Sequence, residues 1–259
     1  MISKYRKRDK EIMINSLVFI SGLIMGSFLN VVICRVPLGN SLIRPGSHCP
    51  VCGQTIKARD LVPVISYLVL KGKCRCCRGP ISFRYPLVEL LTGTAFLLVF
   101  LNTGSLISVL AGLFLSALLI VNAFIDVEHG IIPDDLTKIG VVAALLLSPF
   151  TVTPLSAASG ALFFGGILWS AGVISGGGMG GGDIKLAFAI GAFCGVPIAV
   201  LAFVFSTLAG AVWGGFLLVT HRAQRNSPIK FGPFLAVGSY LAYVYGIRVV
   251  NAYFRILGI

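Results

Sequence analysis

Long apolar runs separated by short polar or glycine-rich turns occupy most of the chain. A helix needs about 20 mostly apolar residues to cross the hydrocarbon core of a bilayer, and irregular backbone is not tolerated in lipid. The runs lie near 13–35, 86–102, 106–125, 136–152, 157–174, 184–195, 197–219 and 233–256. The pattern predicts an all-α polytopic membrane protein.

The number of membrane spans is open at one place. The run at 184–195 is too short to cross alone, and Pro197 follows it closely, which favours a half-helix or a broken pair. We therefore predict about eight transmembrane helices, with seven as the alternative.

Composition agrees with a lipid environment. The chain is 56% apolar and 12% charged, whereas soluble domains carry about 25% charged residues. The net charge of +12 is concentrated before position 85, where 14 of the 21 basic residues lie. This placement suits anionic membrane lipids as partners and argues against a nucleic acid.

The polar segments divide the chain. We predict a basic N-terminal segment at 1–12, a first transmembrane helix at 13–35, a cysteine-rich loop domain at 36–85 and a membrane domain at 86–259. The first apolar run is too long for a signal peptide and lacks a small-residue cleavage site, so we interpret it as a retained helix.

Loop charges predict the orientation. Eight Lys or Arg lie in 44–84, and Arg222, Arg225 and Lys230 lie in 220–231, whereas 103–105 and 152–156 have none. The positive-inside rule places the charged loops in the cytoplasm. Alternation then puts the turns at 126–135 and 175–183 on that same side. The basic N-terminus conflicts with this scheme, because a single helix separates it from the basic loop.

Two acidic residues stand out at the ends of apolar runs. Asp126 ends the third run, where Pro133 is expected to stop the helix. Asp183 follows six glycines around Met179 and is expected at a helix N-terminus. Glycine there allows unusual backbone conformations and close approach of a second chain.

Paired carboxyl groups can hydrolyse a peptide by sharing one proton, so that one activates water and the other polarises the carbonyl. We predict Asp126 and Asp183 as this catalytic pair. Singly, Asp126 could mark a membrane interface and Asp183 could cap a helix. Lys185 could pair with Asp183 or with lipid phosphate. The residues expected to support the loop and substrate are Gly180, Gly182, Lys185 and Glu128; the turn also contains Asp134 and Asp135, the latter a plausible helix N-cap.

The polar loop contains two Cys-X-X-Cys pairs separated by 21 residues. This spacing is close to that of two zinc knuckles, in which four thiolates surround Zn²⁺. We predict Cys49, Cys52, Cys74 and Cys77 as ligands, with Cys77 preferred over Cys76. Four thiolates leave no open coordination position, so the metal would be structural.

Ordered motifs resemble a known family. Gly180-Gly181-Gly182-Asp183 resembles the GxGD signature of the type IV prepilin peptidases, with Asp126 as its partner. Further similarities are the first-helix motif at 26–32, the loop-exit motif at 84–89 and the last-helix motif at 230–236. The resemblance implies that this is an intramembrane aspartic protease of the bacterial cytoplasmic membrane. Its partners would be prepilin or pseudopilin precursors, cleaved after a glycine between a basic leader and a hydrophobic helix.

The resemblance also implies methylation of the new N-terminal amine with S-adenosylmethionine, although we find no Rossmann-type glycine motif. Glu89 is the acid whose position would suit amine binding, but an acid near a helix N-terminus explains it equally well. Two other hypotheses remain: a transporter or channel that uses the glycine-rich loop and paired acids, and a zinc-bearing membrane scaffold. A transporter would more naturally place its acids at mid-membrane.

Overall fold

The computed structural model describes residues 2–220 and 230–258, with side chains from residue 8 onward. The basic side chains of Lys4, Arg6, Lys7, Arg222 and Arg225, which entered the orientation argument, lie outside this part. The α-helices are α1 (Ile2–Arg35), α2 (Ile65–Val69), α3 (Arg84–Asn102), α4 (Leu106–His129), α5 (Asp134–Thr151), α6 (Pro154–Ile174), α7 (Gly181–Val219) and α8 (Gly232–Leu257). The described residues contain isolated β-bridges but no strand.

The predicted all-α membrane architecture is confirmed. Within the described residues, six helices are long and apolar enough to cross a membrane: α1, α3, α4, α6, α7 and α8. Helix α5 is shorter, at 18 residues, and carries three charged side chains near its start. Every apolar run predicted to be helical coincides with a helix to within one residue, but α1 also includes the basic segment that we expected to be separate.

The chain forms two compact units, divided between Leu101 and Asn102. In the first unit, α1 and α3 pack closely through glycines. A Cβ on Gly26 would lie 2.6 Å from Cα of Glu89, and a Cβ on Gly22 would lie 2.7 Å from Cα of Gly93. Asn30 strengthens this contact, since its amide donates to the carbonyl oxygen of Tyr85 at 3.1 Å. Small residues therefore bring the two helix backbones together.

In the second unit, α7 folds back on itself at Gly195. This residue is non-helical, with φ 68° and ψ 173°. Before the break, Phe188 packs on Gly165 of α6; after it, the ring of Phe203 lies 6.4 Å from that of Phe163, also on α6. The two segments of α7, one on each side of Gly195, thus pack along the same stretch of α6. This is the broken pair that the sequence offered as one alternative for 184–219.

Helices α4 and α8 are antiparallel neighbours in the second unit. Near one end, the hydroxyl of Tyr243 donates to the carbonyl oxygen of Ser108 at 2.7 Å. At the other end, the start of α8 contacts the end of α4 at Asp126. The core between α4 and the other helices of this unit is apolar and includes Leu115, Phe164, Ile190 and Leu235, all nearly or fully buried. This packing fixes the positions of the helix ends that carry the acids.

Candidate active site and metal centre

Helix α4 ends in a left-handed glycine that leaves Asp126 in its last turn. Gly130 has φ 68°, and its amide donates to the carbonyl oxygen of Asp126. Helices commonly stop at such a glycine because it pays no Cβ penalty there. The expectation that Pro133 stops this helix was wrong, since Pro133 instead precedes α5 as its N-cap residue. Residues 131–133 form a short non-helical link between the two helices.

The carboxyl group of Asp126 is buried and held by the start of α8. The residue is 6% exposed, and its Oδ2 accepts a hydrogen bond of 2.9 Å from the amide of Gly232. Lys230 lies beside it and donates from Nζ to the carbonyl oxygen of Val127 at 2.6 Å. A cation at this position satisfies a carbonyl group at the end of α4 and offsets the negative end of the helix dipole.

Asp183 lies in the first turn of α7, at the helix N-terminus predicted from the sequence. Its Oδ1 is buried and has no hydrogen-bond partner within the described part of the chain. Gly180, the N-cap residue, lies so close that an added Cβ would sit 2.7 Å from Oδ2 of Asp183. The glycine therefore leaves room for this carboxyl group.

One cavity brings the two aspartates together. It has a volume of about 240 Å³ and is lined by Asp126, Gly130, Ile131, Ile132, Gly180, Gly181, Gly182 and Asp183. The walls come from the end of α4, the link after it and the glycine-rich start of α7. Two carboxyl groups facing one small cavity can act on the same bound molecule.

Gly182 sets the distance between the two walls of this cavity. A Cβ on Gly182 would lie 2.6 Å from Cβ and 3.0 Å from the carbonyl oxygen of Ile132. The start of α7 therefore contacts the link after α4 at a separation that only glycine allows.

The remaining predicted support residues lie outside the cavity lining. Lys185 forms an ion pair with Asp134, with 2.6 Å between Nζ and Oδ1, and is not paired with Asp183. Glu128 is exposed on the last turn of α4. Asp135 is not the N-cap of α5; it lies in the first turn and contacts Lys138 at 3.4 Å.

The sequence interpretation missed Gly232, Lys230 and Ile132 as parts of this site. Gly232 and Lys230 belong to the motif at 230–236, which had been noted only for its resemblance. No local pattern indicated that an amide 106 residues away would bind Asp126. The signal available was a lysine and a glycine directly before an apolar helix.

The two Cys-X-X-Cys pairs in the first unit fold as matching knuckles. In the first, the amide of Gly53 donates to the carbonyl oxygen of Cys49; in the second, the amide of Arg78 donates to that of Cys74. The residue after each second cysteine has positive φ, 70° at Gly53 and 60° at Arg78. A β-bridge closes each knuckle, His48 with Thr55 and Lys73 with Pro80.

The four predicted sulfur ligands converge. The Sγ atoms of Cys49, Cys52, Cys74 and Cys77 all lie within 4.8 Å of one another, and those of Cys49 and Cys77 are 3.8 Å apart. Ligands about 2.3 Å from a tetrahedral Zn²⁺ would be about 3.8 Å apart, so the donor set fits this ion. Cys76 is exposed and lies outside the group.

Backbone amides support thiolate formation at Cys49, the buried member of this cluster. Those of Cys52 and Val51 donate to the sulfur of Cys49 and lower the pKa of its thiol to about 6. An amide that binds the charged form favours it, which suits a metal ligand. The group could hold a metal ion.

Glu89 lies in the first unit, 7% exposed on α3. Its Oε2 accepts a hydrogen bond of 2.7 Å from the amide of Val64, in the segment between the knuckles. Val64 has φ 61°, which β-branched residues rarely adopt. The carboxyl group therefore secures an unusual turn.

Comparison with known proteins covers both units. Residues 20–103 match the bacterial peptidase A24 N-terminal domain, and residues 113–215 match the type IV leader peptidase family. No solved structure shows significant similarity.

Several curated proteins are similar over nearly the whole chain. A prepilin leader peptidase/N-methyltransferase of Bacillus subtilis is 39% identical over 246 residues, which cover 93% of this chain and 98% of that protein. Proteins with the same name from Aeromonas salmonicida and Pseudomonas aeruginosa are 34% and 33% identical, and each alignment covers 92% of this chain and 93% or 92% of the relative. With both domains matched in order, the chain belongs to the type IV leader peptidase family, as its motifs predicted.

Proposed function

We propose that this protein is an aspartic endopeptidase that removes the basic leader from type IV prepilin-like precursors, cutting after a glycine. The observation that carries the proposal is the single cavity lined by two carboxyl groups, Asp126 and Asp183. The relatives' shared name, prepilin leader peptidase, supplies the substrate class. Prepilin or pseudopilin precursors are therefore the proposed partners.

Hydrolysis divides the proton transfers between the two acids. Asp126, as carboxylate, takes a proton from a water molecule whose oxygen attacks the scissile carbonyl carbon. Asp183, initially protonated, gives its proton to the carbonyl oxygen. The tetrahedral intermediate collapses when the amide nitrogen receives the proton from Asp126 and the C–N bond breaks, while Asp183 regains its proton from the collapsing hydroxyl group.

This assignment of roles is supported by the hydrogen bonds at each acid. An amide that donates to a carboxylate stabilises its charged form, as Gly232 can for Asp126. A buried carboxyl oxygen without a donor favours the neutral form, which suits Oδ1 of Asp183.

Helix dipoles oppose this assignment, because Asp126 lies at a helix C-terminus and Asp183 at an N-terminus. Each such effect is typically about 0.3–1 kcal/mol, whereas a hydrogen bond to a charged group contributes about 1.5–3 kcal/mol. Lys230 also offsets the dipole at the end of α4 through its bond to Val127. The balance favours Asp126 as the base.

Methylation of the new N-terminal amine is proposed as a second activity, because the relatives' name includes N-methyltransferase. S-adenosylmethionine would supply the methyl group. Glu89 is the candidate residue for holding the amine, since its carboxyl group is buried and it is the only acidic residue of α3. The hydrogen bond from the amide of Val64 to Oε2 of Glu89 would keep the side chain oriented.

We also propose Zn²⁺ as the ion of the four-cysteine group, with a structural role. The sulfur spacing and the two knuckles support this choice. The ion would order the segment between α1 and α3, and no step of peptide cleavage requires it.

The protein is a multi-pass membrane protein, and we propose that the cavity and the cysteine loop face the cytoplasm. The support is the number of basic residues in the loop at 44–84. Anionic lipid headgroups would bind these cations. A leader could then reach the acids from water while its hydrophobic helix remains in lipid.

The test is cleavage of a prepilin-like substrate by the wild type and by Asp126→Asn and Asp183→Asn, reconstituted in equal amounts. We expect each variant to lose at least about a thousandfold in rate, because each removes one proton-transfer group. Asp135→Asn is the matched control, since Asp135 is an exposed acid of the neighbouring turn. Cleavage by either cavity variant at the control's rate would refute the pair; a transporter or scaffold would give that result.

A further inference from the structure

The segment between the two knuckles is apolar and exposes large side chains, which is unusual for a loop surrounded by water. Residues 61–70, here called the anchor segment, read Leu-Val-Pro-Val-Ile-Ser-Tyr-Leu-Val-Leu and include the short helix α2. Its most exposed side chains are apolar: Ile65 at 60%, Leu68 at 66% and Val69 at 68%. Phe83, whose ring packs edge-on against Tyr67, is 64% exposed. Such a cluster in one short segment marks an interaction surface.

The anchor segment is tied to a point inside the helices that cross the membrane. The amide of Val64 binds Glu89, which lies five residues into α3, and at 1.5 Å per residue this is about 8 Å beyond its first residue. On the other side, Gly26 of α1 contacts Cα of Glu89. Gly26 is itself more than two turns from the end of α1 at Arg35. On both helices the attachment thus lies more than one turn inside the helix end that is connected to the loop.

Cations flank the anchor segment. Lys57 and Arg59 precede it, Lys71 and Lys73 follow it, and all four are exposed. Asp60 is the only acidic residue between 36 and 83, and it is already bound to Arg75, with 2.7 Å between Oδ1 and Nη2. An apolar stretch with basic ends is complementary to a bilayer whose headgroups are anionic.

The backbone of the anchor segment is largely satisfied internally, as a lipid environment requires. The amides of Ser66, Leu68 and Leu70 donate to carbonyl oxygens of Val62, Val64 and Ser66. The amide of Val64 is taken by Glu89. Insertion into lipid therefore does not leave these backbone amides without hydrogen-bond acceptors.

We propose that the anchor segment inserts into the headgroup and upper acyl region of the bilayer, with Ile65, Leu68 and Val69 in contact with lipid. The knuckles would then be held at the membrane surface by three attachments: α1, α3 and the anchor segment. This inference concerns the placement of the loop and does not depend on peptidase or methyltransferase activity.

The test is fluorescence quenching of a tryptophan placed in the anchor segment of the full-length protein. Leu68→Trp is made in a Trp169→Phe, Trp213→Phe background, which removes both native tryptophans. Val51→Trp in the same background is the matched control, because Val51 at the tip of the first knuckle is also 66% exposed. Both are reconstituted in phosphatidylcholine and phosphatidylglycerol vesicles, with and without bromine on the acyl chains near the headgroup.

We expect the brominated lipid to quench Trp at 68 about twofold or more strongly than Trp at 51, and iodide in the water to do the reverse. The proposal would be overturned if each agent quenched Trp at 68 and Trp at 51 equally, or if iodide quenched Trp at 68 more strongly. Either result would indicate a surface for a protein partner. Lipid quenching at 68 that appears only when the protein is diluted would also overturn it, in favour of a second copy of the chain. Ile65→Trp repeats the measurement if the Leu68 variant does not fold.

Discussion

The amide of Gly232 donates a 2.9 Å hydrogen bond to Oδ2 of Asp126, joining the start of α8 to the end of α4. The same glycine leaves no space for a side chain, because a Cβ would lie 2.7 Å from that oxygen and 3.0 Å from Cγ. Position 232 therefore supplies both a donor and the room for the acid that receives it.

Gly232→Ala should lower the rate of leader cleavage by about a hundredfold, the usual effect of breaking one well-placed hydrogen bond in an active site, although alanine keeps the backbone amide. The added methyl group must push the Asp126 carboxyl group away from its position. Gly215→Ala is the control, since a Cβ there meets nothing within 4 Å, and it should keep the wild-type rate. A Gly232→Ala enzyme as active as this control would show that the contact has no catalytic role.

Lys230→Met should reduce kcat by about tenfold with little change in KM, because it removes the cation that helps to keep Asp126 charged. Lys230→Arg should recover most of the rate, since it restores the charge. Lys138→Met removes another exposed cation, which lies on α5 and is paired with Asp135, and serves as the comparison. If Lys230→Met raises KM alone, the lysine acts in substrate binding and the proposed role is wrong.

Gly182→Ala should destabilise the protein by about 1–3 kcal/mol, the range for forcing an extra methyl into a closed contact. Its Cβ would collide with Ile132 and separate the two walls of the cavity. Thermal unfolding in detergent and the cleavage rate both report this change. Gly166→Ala, which adds a methyl group in open space, should alter neither; a similar result for Gly182→Ala would contradict the tight contact.

Cys49→Ser and Cys77→Ser should lower bound zinc and protein abundance more than the cleavage rate per surviving molecule, since the metal organises a loop and takes no part in hydrolysis. Cys76→Ser should retain the metal, because Cys76 is outside the group of four sulfurs. Metal analysis of the purified proteins measures the difference. Wild-type protein without zinc would refute the choice of ion.

Glu89→Gln should decrease methylation of the cleaved product by about tenfold while leaving cleavage intact, because an amine is held by the charge. The glutamine oxygen can still accept the bond from Val64, so the turn should persist. Glu89→Ala removes both the charge and the acceptor for the Val64 amide, so comparing it with Glu89→Gln separates the two roles. Methylation that survives in Glu89→Gln but fails in Glu89→Ala would assign Glu89 to the turn alone.

The sequence was sufficient for features that depend on local pattern. Apolar length predicted the helices, and the spacing of cysteines predicted which four sulfurs would converge. The position of Asp183 at a helix start followed from the glycines before it. These are properties of neighbouring residues, so no knowledge of the tertiary fold was required.

Features that depend on distant contacts were not predictable. The bond between Gly232 and Asp126 and the pairing of Lys185 with Asp134 each arise from helix packing. Pro133 was expected to stop α4, but Gly130 ends it first, because a left-handed glycine can stop a helix without a proline. The apolar residues 61–70 were overlooked because they are too few to span a membrane.

The fold-back of α7 at Gly195 determines on which side of the helix bundle the two ends of α7 lie. The amide of Val196 is satisfied by the hydroxyl oxygen of Ser156, so the reversal is anchored and does not act as a free hinge. Because the segment goes in and returns, its beginning at Asp183 and its continuation towards α8 emerge on the same side. An α7 that continued straight would have carried the start of α8 away from the end at which Asp183 lies, and Gly232 could not have bound Asp126 beside it.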